Sequence, residues 1–268
     1  MSLTPEQLER YARHIMLREV GGVGQRRLLD ASVALVGLGA LGGPAALYLT
    51  AAGVGRLILI DDDHVSLSNL QRQVLFRTED VGGLKVGVGK RALDALNPGC
   101  RIVAVAARLA SGNARDLLAG ADLVVDGSDS FLTRFATNRA CYDLGVPLVS
   151  GAVGRWSAQA FVFKAGLTKG RPAADRLPCY RCFVPDAPED AETCAAVGVV
   201  GPLTGLVGAR MALEAVKEIA GAGESLAGRL WLFDGLSGEE RTIALPADPA
   251  CPVCGDPARE GLVCGVQE

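Results

Sequence analysis

The residues of this chain whose types and spacing could do chemistry are a glycine-rich turn, a polar run after it, and two pairs of cysteines. Gly37, Gly39 and Gly42 form G-x-G-x-x-G within GLGALGG, and the acidic Asp61 follows. Gly37 permits a tight turn, and Gly39 lets backbone N–H groups approach a phosphate. A helix starting there adds partial positive charge. Taken alone, this motif fits an NAD- or FAD-dependent oxidoreductase with Asp61 on a ribose, and it leaves that class open.

The next segment narrows the reading. Asp61-Asp62-Asp63 runs into Ser66-Leu67-Ser68-Asn69-Leu70-Gln71-Arg72-Gln73, and Lys85 comes shortly after. Arg72 offers a fork and Lys85 a point charge. Together they suit a triphosphate, which carries more charge than a dinucleotide's pyrophosphate. The competing reading is a solvated loop with surface cations. Asp126 and Asp129 lie in DGSD, and a carboxylate there can hold Mg²⁺ against phosphates. Asp126 suits a cap on the next helix equally well.

Cys179-Tyr-Arg-Cys182 and Cys251-Pro-Val-Cys254 are two C-x-x-C pairs. Together they complete a tetrahedral four-thiolate zinc site, which has no open position and is therefore structural. The redox alternative expects such a pair at the start of a helix in a thioredoxin pattern, which neither pair offers. Of the other cysteines, Cys100 and Cys141 read as inert, and Cys264 lies near a polar tail with no assigned role. Cys194, in ETCAAVGVVGP, is either a reactive thiol or a small buried filler.

These residues need a scaffold. SVALVG, LILID, RIVAVAA, DLVVDGSD and PLVSGA read as buried strands separated by helices near 42–52, 82–97, 111–119 and 130–144. That alternation predicts a doubly wound, Rossmann-like, mostly parallel sheet. AQAFVF, RLWLFD and RTIALP extend it with further, antiparallel strands. Residues 4–20 predict one amphipathic helix, capped by Thr4, with Pro5 in its first position, Gln7 completing a capping box, and an apolar stripe of Leu8, Tyr11, Ile15 and Leu17. The division is one domain over 1–268. Within it lie an N-terminal helical segment (1–30), a nucleotide-binding half (31–152) and a second half with the zinc site (153–268).

Composition excludes other classes. The chain has 268 residues, 49% of them hydrophobic, and a net charge of -3. No basic excess points to nucleic acid, and no polybasic stretch points to a membrane surface. The most apolar stretch, Val197 to Leu213, is broken by Pro202 and Arg210, so a buried helix is expected. The opening residues lack a signal peptide's apolar run, which places the chain in the cytoplasm. His14 and His64 complete no Ser/His/Asp set.

RYARHIML, GLGALG, AGVGRLILIDDDHVSLSNLQRQ, VGGLK, DGSD, CYRC, TCAAVGVVGP and CPVCG occur in this order from about Arg10 to Cys254. This set resembles the ThiF/MoeB/HesA family, bacterial relatives of ubiquitin-activating enzymes. The resemblance implies a homodimer that uses Mg-ATP to adenylate the C-terminal glycine of a small ubiquitin-like sulfur carrier ending in Gly-Gly. The adenylate then becomes a thiocarboxylate for molybdopterin, thiamine or tRNA thiolation. By motif, the resemblance puts Asp61 on the ribose, and Asn69, Arg72 and Lys85 on the phosphates, with Asp63, Ser68, Leu70 and Gln71 in the same nucleotide-binding run. It puts Asp129 on Mg²⁺, and Arg13 in the partner subunit's site. Cys194 falls where some relatives carry a linked intermediate. Ala40 replaces a further glycine of the family turn, and Ser130 replaces an asparagine. No rhodanese segment follows CPVCG, so the resemblance implies a separate sulfur donor, such as a cysteine desulfurase or a rhodanese.

ATP and NAD separate the two nucleotide readings. A ligand that binds only the folded state raises its melting temperature. ATP is expected to raise it and NAD to leave it unchanged in a thermal-shift assay, and the reverse would favour the oxidoreductase.

Overall fold

The computed structural model describes residues 3–187 and 198–256, so Cys194 and Cys264 lie outside the described residues. Five strands make the parallel core: β1 (Ser32–Val36), β2 (Arg56–Ile60), β3 (Arg101–Val105), β4 (Leu123–Asp126) and β5 (Leu148–Gly154). β6 (Ser157–Phe163), β7 (Arg229–Asp234) and β8 (Glu240–Ala244) continue it in antiparallel pairing. The order is β3-β2-β1-β4-β5-β6-β7-β8. The chain reverses direction across the sheet between β1 and β4, which opens a crevice at the carboxyl ends of those strands.

The inner strands are continuous apolar runs because helices cover both faces. On β1, Val33 and Leu35 join one core, with Leu57, Leu59, Leu49 and Met211. Ala34 and Val36 join the other, with Ile58, Ile60, Leu118 and Phe161. α4 (Gly42–Ala52), α5 (Lys85–Leu96) and α9 (Gly201–Ala220) pack on the first face. α6 (Ala114–Leu118), α7 (Phe131–Leu144) and α8 (Tyr180–Phe183) pack on the second. Each fully buried leucine here contributes roughly 1.5–3 kcal/mol. No described helix is long and apolar enough to cross a membrane.

The single helix expected over 4–20 is divided. The Thr4–Gln7 capping box forms and opens α1 (Pro5–Arg10), but the helix breaks at Tyr11 before α2 (Ala12–Ile15). The break lets Tyr11 go inside. Its ring lies over Gly53, where a Cβ would sit 2.5 Å away, and Asn97 Nδ2 donates to its hydroxyl at 2.9 Å. The expected stripe does not close on the chain's own core, since Leu8 and Leu17 are about half exposed. A further helix, α3 (Gly21–Asp30), was masked in the sequence by its GGVG opening.

α5 also begins later than the pattern suggests. Residues 82–84 turn back beside 63–65, held by Val65 N–H to Gly83 O and Gly82 N–H to Val65 O, with a bridge between His64 and Leu84. That pairing delays the helix to Lys85 and sets Lys85 beside Asp63.

Two glycines fix the entrance to α4. Gly37 has φ +81°, a conformation L side chains rarely adopt, and a Cβ added at Gly42 would lie only 1.9 Å from the Gly37 carbonyl oxygen. Gly42→Ala is therefore expected to destabilise the chain by about 2–4 kcal/mol, read as a lower melting temperature in calorimetry. An unchanged melting temperature would mean that the turn adapts.

Candidate active site

The crevice between β1 and β4 holds a cavity of about 450 Å³, within the range of small-molecule sites. The glycine turn supplies one wall through Gly37, Gly39 and Ala40. Asp61, just past the end of β2, faces it. Its Oδ2 accepts the Leu38 N–H at 2.6 Å and its Oδ1 accepts the Asp63 N–H at 2.8 Å. Burial raises the Asp61 carboxyl above the ordinary aspartate range. The bonded N–H of Asp63, the Lys85 charge and the Leu38 N–H act against that rise.

The cationic wall comes next. Lys85 is only 5% exposed, and its Nζ donates to Asp63 Oδ2 at 3.0 Å. Arg72 also lines the cavity and is held by a bond from its Nη1 to the Ser68 carbonyl at 3.0 Å. Nearby, Gln73 Oε1 is buried with no hydrogen-bond partner, an acceptor left for a ligand or water. At the rim, Arg108 pairs with Asp62 at 3.1 Å.

The acidic end follows β4. Asp126 is buried, and its Oδ1 accepts the Ser128 N–H at 2.9 Å. Burial pushes its carboxyl up, opposed by the neighbouring Arg134 charge. Asp126 does not cap α7: Ser130 is the N-cap, and its Oγ accepts the Thr133 N–H at 3.4 Å. Asp129 and Ser130 are exposed and line the cavity.

Several expected residues lie outside this wall. Gly42 packs behind the turn. Among the residues lining the cavity, Ser68, Asn69, Leu70 and Gln71 do not occur. The carbonyls of Ser68 and Asn69 instead accept bonds from Arg72, through its Nη1 and its backbone N–H. Leu67–Asn69 is a 3₁₀ turn, Asn69 Oδ1 accepts the Ser66 N–H at 3.4 Å, and Gly201 packs on the Gln71 carbonyl. Arg13 is exposed on α2 and does not line its own chain's cavity.

Sequence reasoning missed Arg134, Arg108 and Tyr180. Arg134 is 8% exposed. Its Nε and Nη2 donate to the Ser128 carbonyl at 3.0 and 2.6 Å, and Nη2 also reaches the Gly151 carbonyl at 2.8 Å. One guanidinium thus ties the β4 loop to β5. Its sequence signal was slight: it stands one helical turn after Ser130.

The four cysteines meet. All four sulfurs lie within 4.8 Å of one another, with Cys179 and Cys251 3.5 Å apart and Cys182 and Cys254 3.3 Å apart. Those separations are far beyond a disulfide bond of about 2 Å. They approach the spacing of four thiolates around one ion at about 2.3 Å. The Asp248 N–H points at Cys182 Sγ at 3.3 Å and the Val253 N–H at Cys251 Sγ at 3.4 Å, the donors a thiolate attracts. The donor set fits a closed metal site. Cys179 does precede a helix, contrary to the sequence reading, but α8 spans only four residues and both its thiols face the second pair. Elsewhere, burial pushes the Cys100 thiol up to about 11 and raises Cys141 further, so both are inert near neutral pH.

Known proteins resemble this chain in sequence and in fold. The ThiF family profile matches residues 11–253. A sulfur carrier protein adenylyltransferase of Thermus thermophilus is 46% identical, over 98% of this chain and 97% of that protein. A SAMP-activating enzyme E1 of Haloferax volcanii is 43% identical, over 96% and 92%. A sulfur carrier protein ThiS adenylyltransferase of Escherichia coli is 44% identical, over 92% and 94%. The crystal structure of E. coli MccB superposes with a TM-score of 0.79 at 23% identity, covering 95% of this chain and 74% of that one. This last likeness concerns the fold alone.

Metal analysis of the purified chain is expected to find one thiophilic ion per chain, and Cys182→Ser to lose it. Metal-free protein with four freely titrating thiols and an unchanged melting temperature would contradict the assignment.

Proposed function

The chain belongs to the ThiF family, and from that footing we propose that it uses ATP to adenylate the C-terminal glycine of a small ubiquitin-like sulfur-carrier protein. Its relatives named as adenylyltransferases of sulfur carriers, matched over nearly their whole length, support this reading. The observation that carries it in the structure is the cavity wall itself. Asp61, the buried Lys85, Arg72 and the exposed Asp129 all line this one cavity, a set of groups that would suit a sugar, a polyphosphate and a metal.

The chemistry asks for charge stabilisation rather than proton transfer. The carrier's carboxylate oxygen attacks the α-phosphorus, an O–P bond forms, and the bond to pyrophosphate breaks with its electron pair leaving on pyrophosphate. Lys85 and Arg72 stabilise the negative charge that builds on these oxygens. A carboxylate is already ionised near neutral pH, so no general base is required, which suits a cavity with no histidine in its wall. Asp129 would hold Mg²⁺, which would supply positive charge against the phosphates. Asp61 would take the ribose hydroxyls.

The remaining assignments belong to the same proposal. Zinc is the ion that suits four cysteine thiolates in a closed tetrahedron. Arg13 would serve the partner's cavity in a homodimer. It is exposed on α2 beside the exposed apolar side chains of Met16 and Leu17, a surface suited to a second copy. A separate sulfur donor would then convert the adenylate to a thiocarboxylate, and the lack of disulfides among the described cysteines suits a cytoplasmic setting. Cys194, a candidate for that later step, lies outside the described residues.

The test is ATP–pyrophosphate exchange with carriers that end in Gly-Gly. Exchange should depend on the carrier, and Arg72→Ala or Lys85→Ala should lower it by about 100-fold in a folded protein. Tight ATP binding with no exchange on any such carrier would overturn the proposal.

A further inference from the structure

Tyr180 belongs to two constellations at once. In sequence it stands between Cys179 and Cys182, two of the four clustered sulfur donors. In space its side chain lines the nucleotide cavity. The four-cysteine cluster is therefore one residue away from the wall of the candidate active site.

The contacts of Tyr180 are specific. It is 3% exposed, and its backbone N–H donates to the buried Asn138 Oδ1 on α7 at 2.8 Å. Its ring centroid lies 5.8 Å from Phe135 and 5.9 Å from Phe163. On its cavity side the Arg134 guanidinium sits 5.9 Å from the ring centroid. Arg134 in turn grips the Ser128 and Gly151 carbonyls. A continuous chain of contacts thus runs from the sulfurs through Tyr180 and Arg134 to the loop that carries Asp129.

α8 cannot hold that ring by its own helical structure. Four residues close barely one turn, and such a turn has no independent stability. The segment is fixed at its two cysteines by the second pair, which arrives from beyond β8. We infer that Tyr180 is a positioning residue that couples the four-cysteine site to the nucleotide cavity. With the ion bound, the ring is pressed against Arg134 and the aromatic wall, and the Ser128–Asp129 loop keeps its place. With the ion removed, the ring is released, Arg134 loses its backing, and nucleotide binding weakens. The inference rests on the nucleotide reading of the cavity.

Calorimetric ATP binding, with metal content measured on every sample, tests it. In the metal-loaded protein Tyr180→Leu should weaken ATP binding by about tenfold, and Tyr180→Phe, which keeps the ring, should bind ATP more tightly than Tyr180→Leu. Removing the metal from the unaltered chain should weaken binding by a similar factor. Removing it from Tyr180→Leu should add little, because the coupling is already cut. Equal effects of metal removal in both backgrounds, or wild-type affinity in Tyr180→Leu, would overturn the inference.

A second measurement needs no metal removal. In loaded samples, hydrogen exchange of the Ser128 to Arg134 amides should be faster in Tyr180→Leu than in Tyr180→Phe, and identical rates would overturn the inference. If the unaltered, metal-loaded chain binds no ATP at all, the proposed function fails instead, and the two failures are distinct.

Discussion

The contact between Gly42 and the Gly37 carbonyl governs the geometry on which the cavity depends. No atom beyond hydrogen fits between the start of α4 and the end of β1. This closeness fixes the angle at which α4 leaves the strand and leaves the Leu38 N–H pointing at Asp61. Strand, turn, helix and carboxylate are thereby locked in one arrangement before any ligand arrives. A site held in advance spends less of its binding energy on ordering itself.

Charge burial is the second constraint. Taking an ammonium out of water costs several kcal/mol unless it is paired. Lys85 meets this with one close carboxylate, Asp63, which itself remains largely solvated at 62% exposure. The arrangement keeps a cation inside the wall while leaving its partner free to turn toward water when a stronger anion enters. On the other side of the cavity Arg134 is satisfied instead by two backbone carbonyls, and its charge opposes the burial of Asp126.

The parts legible in the sequence were those whose spacing is itself the chemistry. Gly37, Gly39 and Gly42 announce a turn, the C-x-x-C pairs announce a shared ion, and alternating apolar runs announce the sheet. Asp61, Arg72, Lys85 and Asp129 were found from their place after strand ends, and all four line the cavity. Residues that act through tertiary contacts were not legible. Arg134 and Tyr180 sit in stretches that read as an ordinary helix and a ligand spacer, and only the fold brings them to the wall. Asn69 and Gln71 belong to the same polar run but are not among the residues lining the cavity, because a polar run does not say which side chains point inward. The helix over 4–20 was misjudged because burying Tyr11 under Gly53 outweighs helical continuity, a preference no local pattern records.

The cysteine cluster also bears on how the chain holds together as a polymer. Cys179 and Cys251 are 72 positions apart, with α9, β7 and β8 between them. A tie across that distance removes conformational freedom from the unfolded chain. By analogy with a covalent cross-link this stabilises the native state by on the order of 4 kcal/mol. The ion would thus act on the denatured ensemble as well as on the fold, by fastening the antiparallel extension of the sheet to a segment that precedes it by a quarter of the chain. The segment that shapes the cavity and the segment that ends the described fold are in this sense a single closed loop.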